Sequence, residues 1–459
     1  MQNTELIILG SIGLPFIASF LNYVFRTSEN LRDSVTFILS AITFFCVVNI
    51  GFSYTEGNSF DFSLLSVMPG LEIAFKVEPL GLLFAIIASG LWIITHIYAI
   101  GYMRGNDEKN QPRFFACFSI AIGTVLGLAF AKNLFTLFIF YELLTLSTFP
   151  LVAHKGSSEA ISGAKTYLKI LLGTSVGFQL IAIILVYVFA GTLDFESGGI
   201  LSGKISNFQA AILLALFAFG IGKAALMPFH KWLPAAMVAP TPVSALLHAV
   251  AVVKAGVFTI LKVGVYIFGI DFLKTTGSSD WLVWLAGFSI LSASIVAITK
   301  DNLKARLAYS TISQLSYITL GLALANAVGV LGGALHIATH AVGKITLFMC
   351  AGSIYIATHK TQVSDMDGLG RKMPITFLAF FVGAISIIGL PPMGGSWSKW
   401  LLVLSALEAE YILIVAALMI SSLLNIAYLI PVVSRGFFLK PKETEQGELQ
   451  VLKEAPFLC

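Results

Sequence analysis

The sequence predicts an all-α polytopic membrane protein of about 13 transmembrane helices, and three observations carry that prediction. First, 57% of the 459 residues are hydrophobic and only 11% are charged, with a mean hydropathy of +0.89. A soluble domain of this length needs far more charge on its surface. Second, apolar stretches of about 18–25 residues, each able to cross ~30 Å of hydrocarbon, recur from end to end. Third, basic residues gather in alternate connecting segments, as the positive-inside rule demands.

The spans fall near 5–25, 33–53, 79–101, 114–131, 133–153, 165–190, 208–228, 243–268, 281–299, 309–328, 331–357, 375–404 and 410–433. The N-terminus lacks the basic n-region of a cleavable signal, so the first run reads as a retained helix. With that terminus outside, the inner segments hold 18 basic residues, from Arg26 to Lys453. The outer loops hold only 4, Lys76, Lys132, Lys204 and Lys274, among acids such as Asp61, Glu72, Asp194, Glu196, Glu408 and Glu410. A wrong helix count would scramble this alternation.

Two spans are interrupted. The seventh meets Pro228 and runs on into Pro234, Pro240 and Pro242, and the twelfth contains Gly389-Leu-Pro-Pro-Met-Gly-Gly395. Proline removes a backbone donor and crowds the preceding turn. Broken backbone at membrane depth is tolerated where protein or water surrounds it, although ordinary proline kinks are the simpler alternative. Breaks five spans apart, each near a lysine, predict two inverted five-helix repeats. The expected organisation is a three-helix segment at 1–113, helices 4–8 at 114–268, helices 9–13 at 281–433, and a polar cytoplasmic tail at 434–459.

A net charge of +4 spread over short loops gives no nucleic-acid signal. The four cysteines, Cys46, Cys117, Cys350 and Cys459, form no ligand cluster, so neither disulfides nor metal are expected.

Six lysines lie inside the spans: Lys169, Lys223, Lys254, Lys262, Lys344 and Lys399. A charge at the bilayer centre costs about 2.5–3.5 kcal/mol on insertion scales. Lys169 and Lys262 sit near span ends, where their stems can snorkel to the interface. Lys223, Lys254 and Lys344 have no such escape. Glu142 is stranded in the fifth span, and Lys223 in Phe219-Gly-Ile-Gly-Lys223 is its natural partner, with Gly220 and Gly222 allowing close approach. A static ion pair is the alternative there. Lys254 follows His248 on one helix. His336, His340 and Lys344 share one face at i, i+4 and i+8. Imidazole gives and takes protons near neutrality. An HxxxH zinc site lacks a third ligand. Lys399, between Trp397 and Trp400, either ends the path or anchors the interface. Desolvation eases the loss of a lysine's proton and a nearby carboxylate opposes it, so these groups suit a water-connected proton path.

The run Lys223-Ala-Ala-Leu-Met-Pro-Phe-His-Lys-Trp-Leu-Pro-Ala-Ala-Met-Val-Ala-Pro-Thr-Pro-Val-Ser-Ala-Leu-Leu-His248 resembles the signature of the antiporter-like subunits. These belong to respiratory complex I (NADH:quinone oxidoreductase), membrane-bound hydrogenases and Mrp-type Na+/H+ antiporters. Supporting matches are His96-Ile-Tyr-Ala-Ile-Gly-Tyr-Met103, Asp301-Asn-Leu-Lys-Ala-Arg-Leu-Ala-Tyr-Ser-Thr-Ile-Ser-Gln314 and His340-Ala-Val-Gly-Lys344. The resemblance implies a Glu142–Lys223 couple, a central relay of His248, Lys254, His336, His340 and Lys344, and a terminal residue at Lys399. Lysine at that last position, with the wording around 140–150 and 396–402, looks most like the D-type member of the Mrp antiporters.

It further implies partner subunits of an Mrp-type complex, protons and sodium as cargo, no cofactor, and a multi-pass place in the bacterial inner membrane. The alternative is a proton-pumping subunit of complex I or of a hydrogenase, itself free of redox chemistry. The family core has 14 helices. The last is expected to follow a stretch like Leu452-Lys-Glu-Ala-Pro-Phe-Leu-Cys459, so either the sequence stops short of it or that helix is absent.

Overall fold

A computed structural model describes residues 3–68, 70–246 and 251–441. Helices occupy all the expected positions. They are α1 (Asn3–Val24), α2 (Glu29–Thr55), α3 (Pro79–Gly105), α4 (Gln111–Ala129), α5 (Leu134–Val152) and α6 (Ser158–Ala190). Next come α7 (Asn207–Gly220), α8 (Val252–Phe268), α9 (Asp280–Thr299), α10 (Leu303–Ala323) and α11 (Ala327–Thr358). The broken twelfth span gives α12a (Pro374–Ile388) and α12b (Gly394–Glu408), and α13 is Ile412–Phe438. The chain is an all-α polytopic membrane protein. Large apolar side chains such as Phe20, Phe45, Val188, Phe208 and Leu413 are more exposed than buried, as lipid-facing positions are.

The helix starts are written locally. Asn133, Ser157, Asn302 and Asn326 each accept a backbone N–H of the first turn, and Ser206 with Gln209 forms a capping box. The second break falls just before its prolines, but the first comes eight residues ahead of Pro228, at Gly220. α7 stops at Gly220 and passes into a 3-10 turn, Gly222–Ala224, before short pieces at Trp232–Ala235 and Thr241–Ala245. α12a stops at Gly389, which adopts φ +91. The eighth span is therefore not one helix from 243. It begins as the Thr241–Ala245 turn and resumes at Val252, while His248 lies outside the described residues. At its far end the following helix, Ile270–Thr276, turns away by 79°.

Burial explains one oddity. α10 carries Ser310, Thr311, Ser313, Gln314, Ser316 and Thr319, too polar for a lipid-facing span, and nearly all of it is buried. Neighbouring helices α9 and α11, not lipid, surround it.

An unanticipated hairpin, β1 (Asp61–Met68) and β2 (Leu71–Lys76), pairs antiparallel between α2 and α3. It is tied down by a Phe75–Ala131 bridge and by an ion pair of 2.6 Å from Lys132 to Asp61. Of the tail expected at 434–459, residues 442–459 lie outside the described residues.

Candidate functional site: a row of buried lysines

Lys223, Lys254 and Lys344 are 0% exposed, and Lys399 is 7% exposed. Helix irregularity positions three of them. Lys223 lies in the 3-10 turn that ends the broken seventh span, Lys254 in the first turn of α8, and Lys399 in α12b just past the second break.

Two glycines let the backbone close around Lys223. A Cβ on Gly220 would fall 2.4 Å from the Gln179 backbone nitrogen, in the π turn of α6, and one on Gly256 would fall 2.3 Å from the Ala224 nitrogen. The sixth and eighth spans therefore pack directly against the break.

The expected Glu142–Lys223 contact is corrected by the geometry. Lys223 Nζ donates to the Tyr141 carbonyl at 2.8 Å and to Thr145 Oγ1 at 2.6 Å, and it sits 3.2 Å from the Tyr141 ring centroid. Both Glu142 oxygens are buried with no hydrogen-bond partner, and no ion pair joins the two residues. The lysine leans on the same helix turn that carries the glutamate. Carboxylate oxygens buried without a hydrogen bond are costly.

Lys262 overturns the snorkelling expectation. It is 0% exposed, lies 3.2 Å from Glu78 Oε2 and donates to the Ala131 carbonyl at 2.7 Å, over the Phe195 ring. The contact with Glu78 is charge to charge, since its angles fall outside hydrogen bonding. Lys169 is exposed, as snorkelling expects.

The central residues do converge, but not as a single file. Lys254 Nζ is hydrogen-bonded to His340 Nδ1. The His340 and His336 rings stack with centroids 5.7 Å apart, and His336 stacks in turn on Tyr317. His336 bonds to Ser398 Oγ at 2.8 Å, one residue from Lys399, and to Gln314 Oε1 at 3.1 Å. Lys344 points away from the histidines, donating to Ser310 Oγ at 2.7 Å and towards the Leu307 carbonyl at 3.3 Å. Lys399 donates to the Ile388 carbonyl exposed by the second break, at 3.0 Å. It also lines a cavity of ≈ 800 Å³ with Trp397, Trp400 and Leu423.

Residues missed from sequence complete this cluster: Ser310 and Gln314 of α10, and Asn425 and Tyr428 of α13. All four are 0% exposed. Asn425 and Tyr428, polar and three apart in an apolar span, were the available signal, as was Glu78 immediately before Pro79.

Fold and site together define a class: a polytopic membrane protein with two broken spans and four buried lysines. The chain belongs to the NADH:quinone oxidoreductase/Mrp antiporter transmembrane family, whose model matches residues 131–425. A second model, for the N-terminus of chain 5 of NADH-ubiquinone oxidoreductase (complex I), matches residues 68–115.

Among curated relatives, NADH-quinone oxidoreductase subunit N of Desulforudis audaxviator is 35% identical over 80% of this chain and 74% of that protein. A probable K(+)/H(+) antiporter component (A/B) of Rhizobium meliloti is 30% identical over 87% of this chain but only 40% of its own length. The chain likewise spans 63% of the Picosynechococcus NAD(P)H-quinone oxidoreductase chain 5 that it matches.

The fold is shared with a chain of the archaeal membrane-bound sulfane sulfur reductase (TM-score 0.85, 24% identity, 97% of this chain and 91% of that one). It is also shared with a chain of the Mrp complex from Dietzia sp. DQ12-45-1b (TM-score 0.84, 22% identity, 97% and 82%).

Proposed function

We propose that this chain is the proton-translocating subunit of a multi-subunit monovalent cation (Na+)/proton antiporter of the Mrp D type. The observation that carries the reading is the row Lys223–Lys254–Lys344–Lys399, each buried and each held by neutral partners. A buried lysine locked to a carboxylate keeps its proton, whereas one held by carbonyls, hydroxyls and imidazole can give it up. Glu142 modulates the first lysine, and His340 and His336 carry the connection towards Lys399. His248 is assigned to the same relay from its place in the sequence. Water completes the gaps between groups.

The proposed setting is a bacterial inner membrane, with the N-terminus outside, the tail from 434 cytoplasmic, and other antiporter subunits as partners. The two five-helix units, 114–268 and 281–433, each contribute one break and its lysine.

A second reading is favoured by the similarity to NADH-quinone oxidoreductase subunit N, over most of both chains. There the same relay would be driven by redox chemistry in partner subunits.

Proton uptake into vesicles holding the intact complex separates the two. The first reading expects uptake driven by an imposed sodium gradient, and the second expects uptake only with a reductant. Under either, Lys223→Ala and Glu142→Ala each abolish uptake; wild-type flux in both would sink the relay.

A further inference from the structure

Lys344 and Lys399 are joined by a hydrogen-bonded chain that neither lysine supplies. The Tyr428 hydroxyl lies 2.8 Å from Ser310 Oγ, the same oxygen that accepts from Lys344. Asn425 bonds to that Tyr428 hydroxyl. The amide is best satisfied with its nitrogen towards Tyr428 and the Ser421 carbonyl (3.2 Å). Its oxygen then accepts from Lys399 Nζ at 2.9 Å and from Gln314 Nε2 at 3.3 Å. One wholly buried amide is thus the meeting point of Lys399, the His336–Gln314 branch and the Lys344–Ser310–Tyr428 branch. Among the described residues neither lysine makes an ion pair. The other titratable side chains around the network are Tyr317, beneath Lys399, His336 and His340 of α11, and Lys254 of α8, which is bonded to His340.

A charged ammonium has donors and no acceptor, whereas a neutral amine gains a lone pair. Charged Lys399 therefore requires the oxygen of Asn425. Tyr428 then accepts from the amide nitrogen and donates to Ser310, whose oxygen can also accept from Lys344 and whose hydroxyl can donate to Lys344 once that amine is neutral. A neutral Lys399 can still donate to the oxygen, but it can also accept from the amide nitrogen. In that second arrangement the Asn425 oxygen turns to Tyr428, which donates to it and accepts from Ser310, and Lys344 must be a donor. A charged Lys399 thus imposes the first direction on the chain, and only a neutral one allows the second. Hydrogen-bond chains inside a low-dielectric core reinforce such directionality.

We propose that Asn425 and Tyr428 of α13 couple Lys344 to Lys399: a charged Lys399 fixes the chain in the direction that lets Ser310 donate to a neutral Lys344, and only a neutral Lys399 allows the reverse. Asn425 and Tyr428 are positioning residues, and the amide carries the direction, not the proton. The inference rests on the proton-relay reading above.

The test is proton flux against pH, per assembled complex, in vesicles holding the intact complex. Lys344→Ala and Lys399→Ala are expected to abolish flux. Tyr428→Phe and Asn425→Leu are expected to lower it at least about tenfold, as loss of a hydrogen bond to a charged group implies, and to shift its pH profile. Ser421→Ala keeps the backbone carbonyl that meets the amide and is expected to leave the profile in place.

Wild-type flux in Tyr428→Phe and Asn425→Leu, or a uniform fall with no shift of profile, overturns the coupling while leaving the relay standing. Should those two variants fail to assemble, Ser310→Ala breaks the same chain beside Lys344 and is judged by the same profile. Wild-type flux in both lysine variants overturns the relay itself, and the coupling with it.

Discussion

Among the described residues, Glu78–Lys262 and Glu142–Lys223 are two glutamate–lysine couples built in opposite ways. Glu78 and Lys262 are 4% and 0% exposed and 3.2 Å apart, with the lysine also anchored to the Ala131 carbonyl. Glu78 further sits at the N-cap of α3, where the helix dipole favours a negative charge. Glu142 makes no hydrogen bond and reaches Lys223 only at longer range, and Lys223 rests on a carbonyl, a hydroxyl and a ring of the neighbouring turn. Burial of the carboxylate oxygens does not separate the two. Closure does: a paired charge is fixed in place, whereas the open couple leaves its lysine on neutral acceptors.

The largest expected effect breaks the closed couple. Glu78→Gln leaves Lys262 buried and uncompensated, which should cost about 3–5 kcal/mol. Thermal unfolding of the purified protein, or the amount assembled in the membrane, reads this. Glu78→Gln with Lys262→Met should recover most of the loss, because the pair then leaves no charge behind.

The open couple should respond more in transport than in stability. Thr145→Val removes one of the acceptors of Lys223 and should cost about 1.5–3 kcal/mol, with flux reduced further than stability suggests. Gly220→Ala drives a methyl into the Gln179 backbone and should cost about 1–3 kcal/mol, read by the same melts.

The smallest effect lies outside the membrane and serves as a baseline. Ser364 donates to Asp301 through Oγ at 2.6 Å and through its N–H at 3.0 Å. Burial tends to raise the Asp301 carboxyl, but these hydrogen bonds outweigh it and hold the group below its usual range. A depressed carboxyl contributes stability that is fully present above the unfolded value of ~3.9 and lost as pH falls through the folded one. Ser364→Ala should therefore cost about 1 kcal/mol or less near neutrality. Its melting point should converge with wild type as the pH drops below about 4.

The helices were readable because hydropathy, prolines and capping residues act locally; the second break falls just before its prolines, while the first opens at Gly220, ahead of Pro228. The hairpin at 61–76 was not, because it is tied down by Ala131 and Lys132 from another part of the chain. Among the site residues, the buried lysines announced themselves by charge in an apolar run. Their partners did not. Nothing in the spacing says that Lys344 turns to Ser310 while His340 turns to Lys254, since His336, His340 and Lys344 share one helix face. Lys262 looked close enough to a span end to escape, but the fold of 131–133 over that end, with Phe195 beneath, closes the exit and leaves Glu78 as its counter-ion. Such outcomes depend on which helix packs where, and a single helix does not encode that.

The most direct measurement is proton flux per assembled complex in reconstituted vesicles, with Glu142→Ala set beside Glu78→Gln. An open, functional couple and a closed, structural one predict that Glu142→Ala assembles normally and carries no flux. Glu78→Gln should assemble poorly, yet carry wild-type flux in each complex that forms. Wild-type flux in Glu142→Ala, with flux lost per complex in Glu78→Gln, would contradict that division.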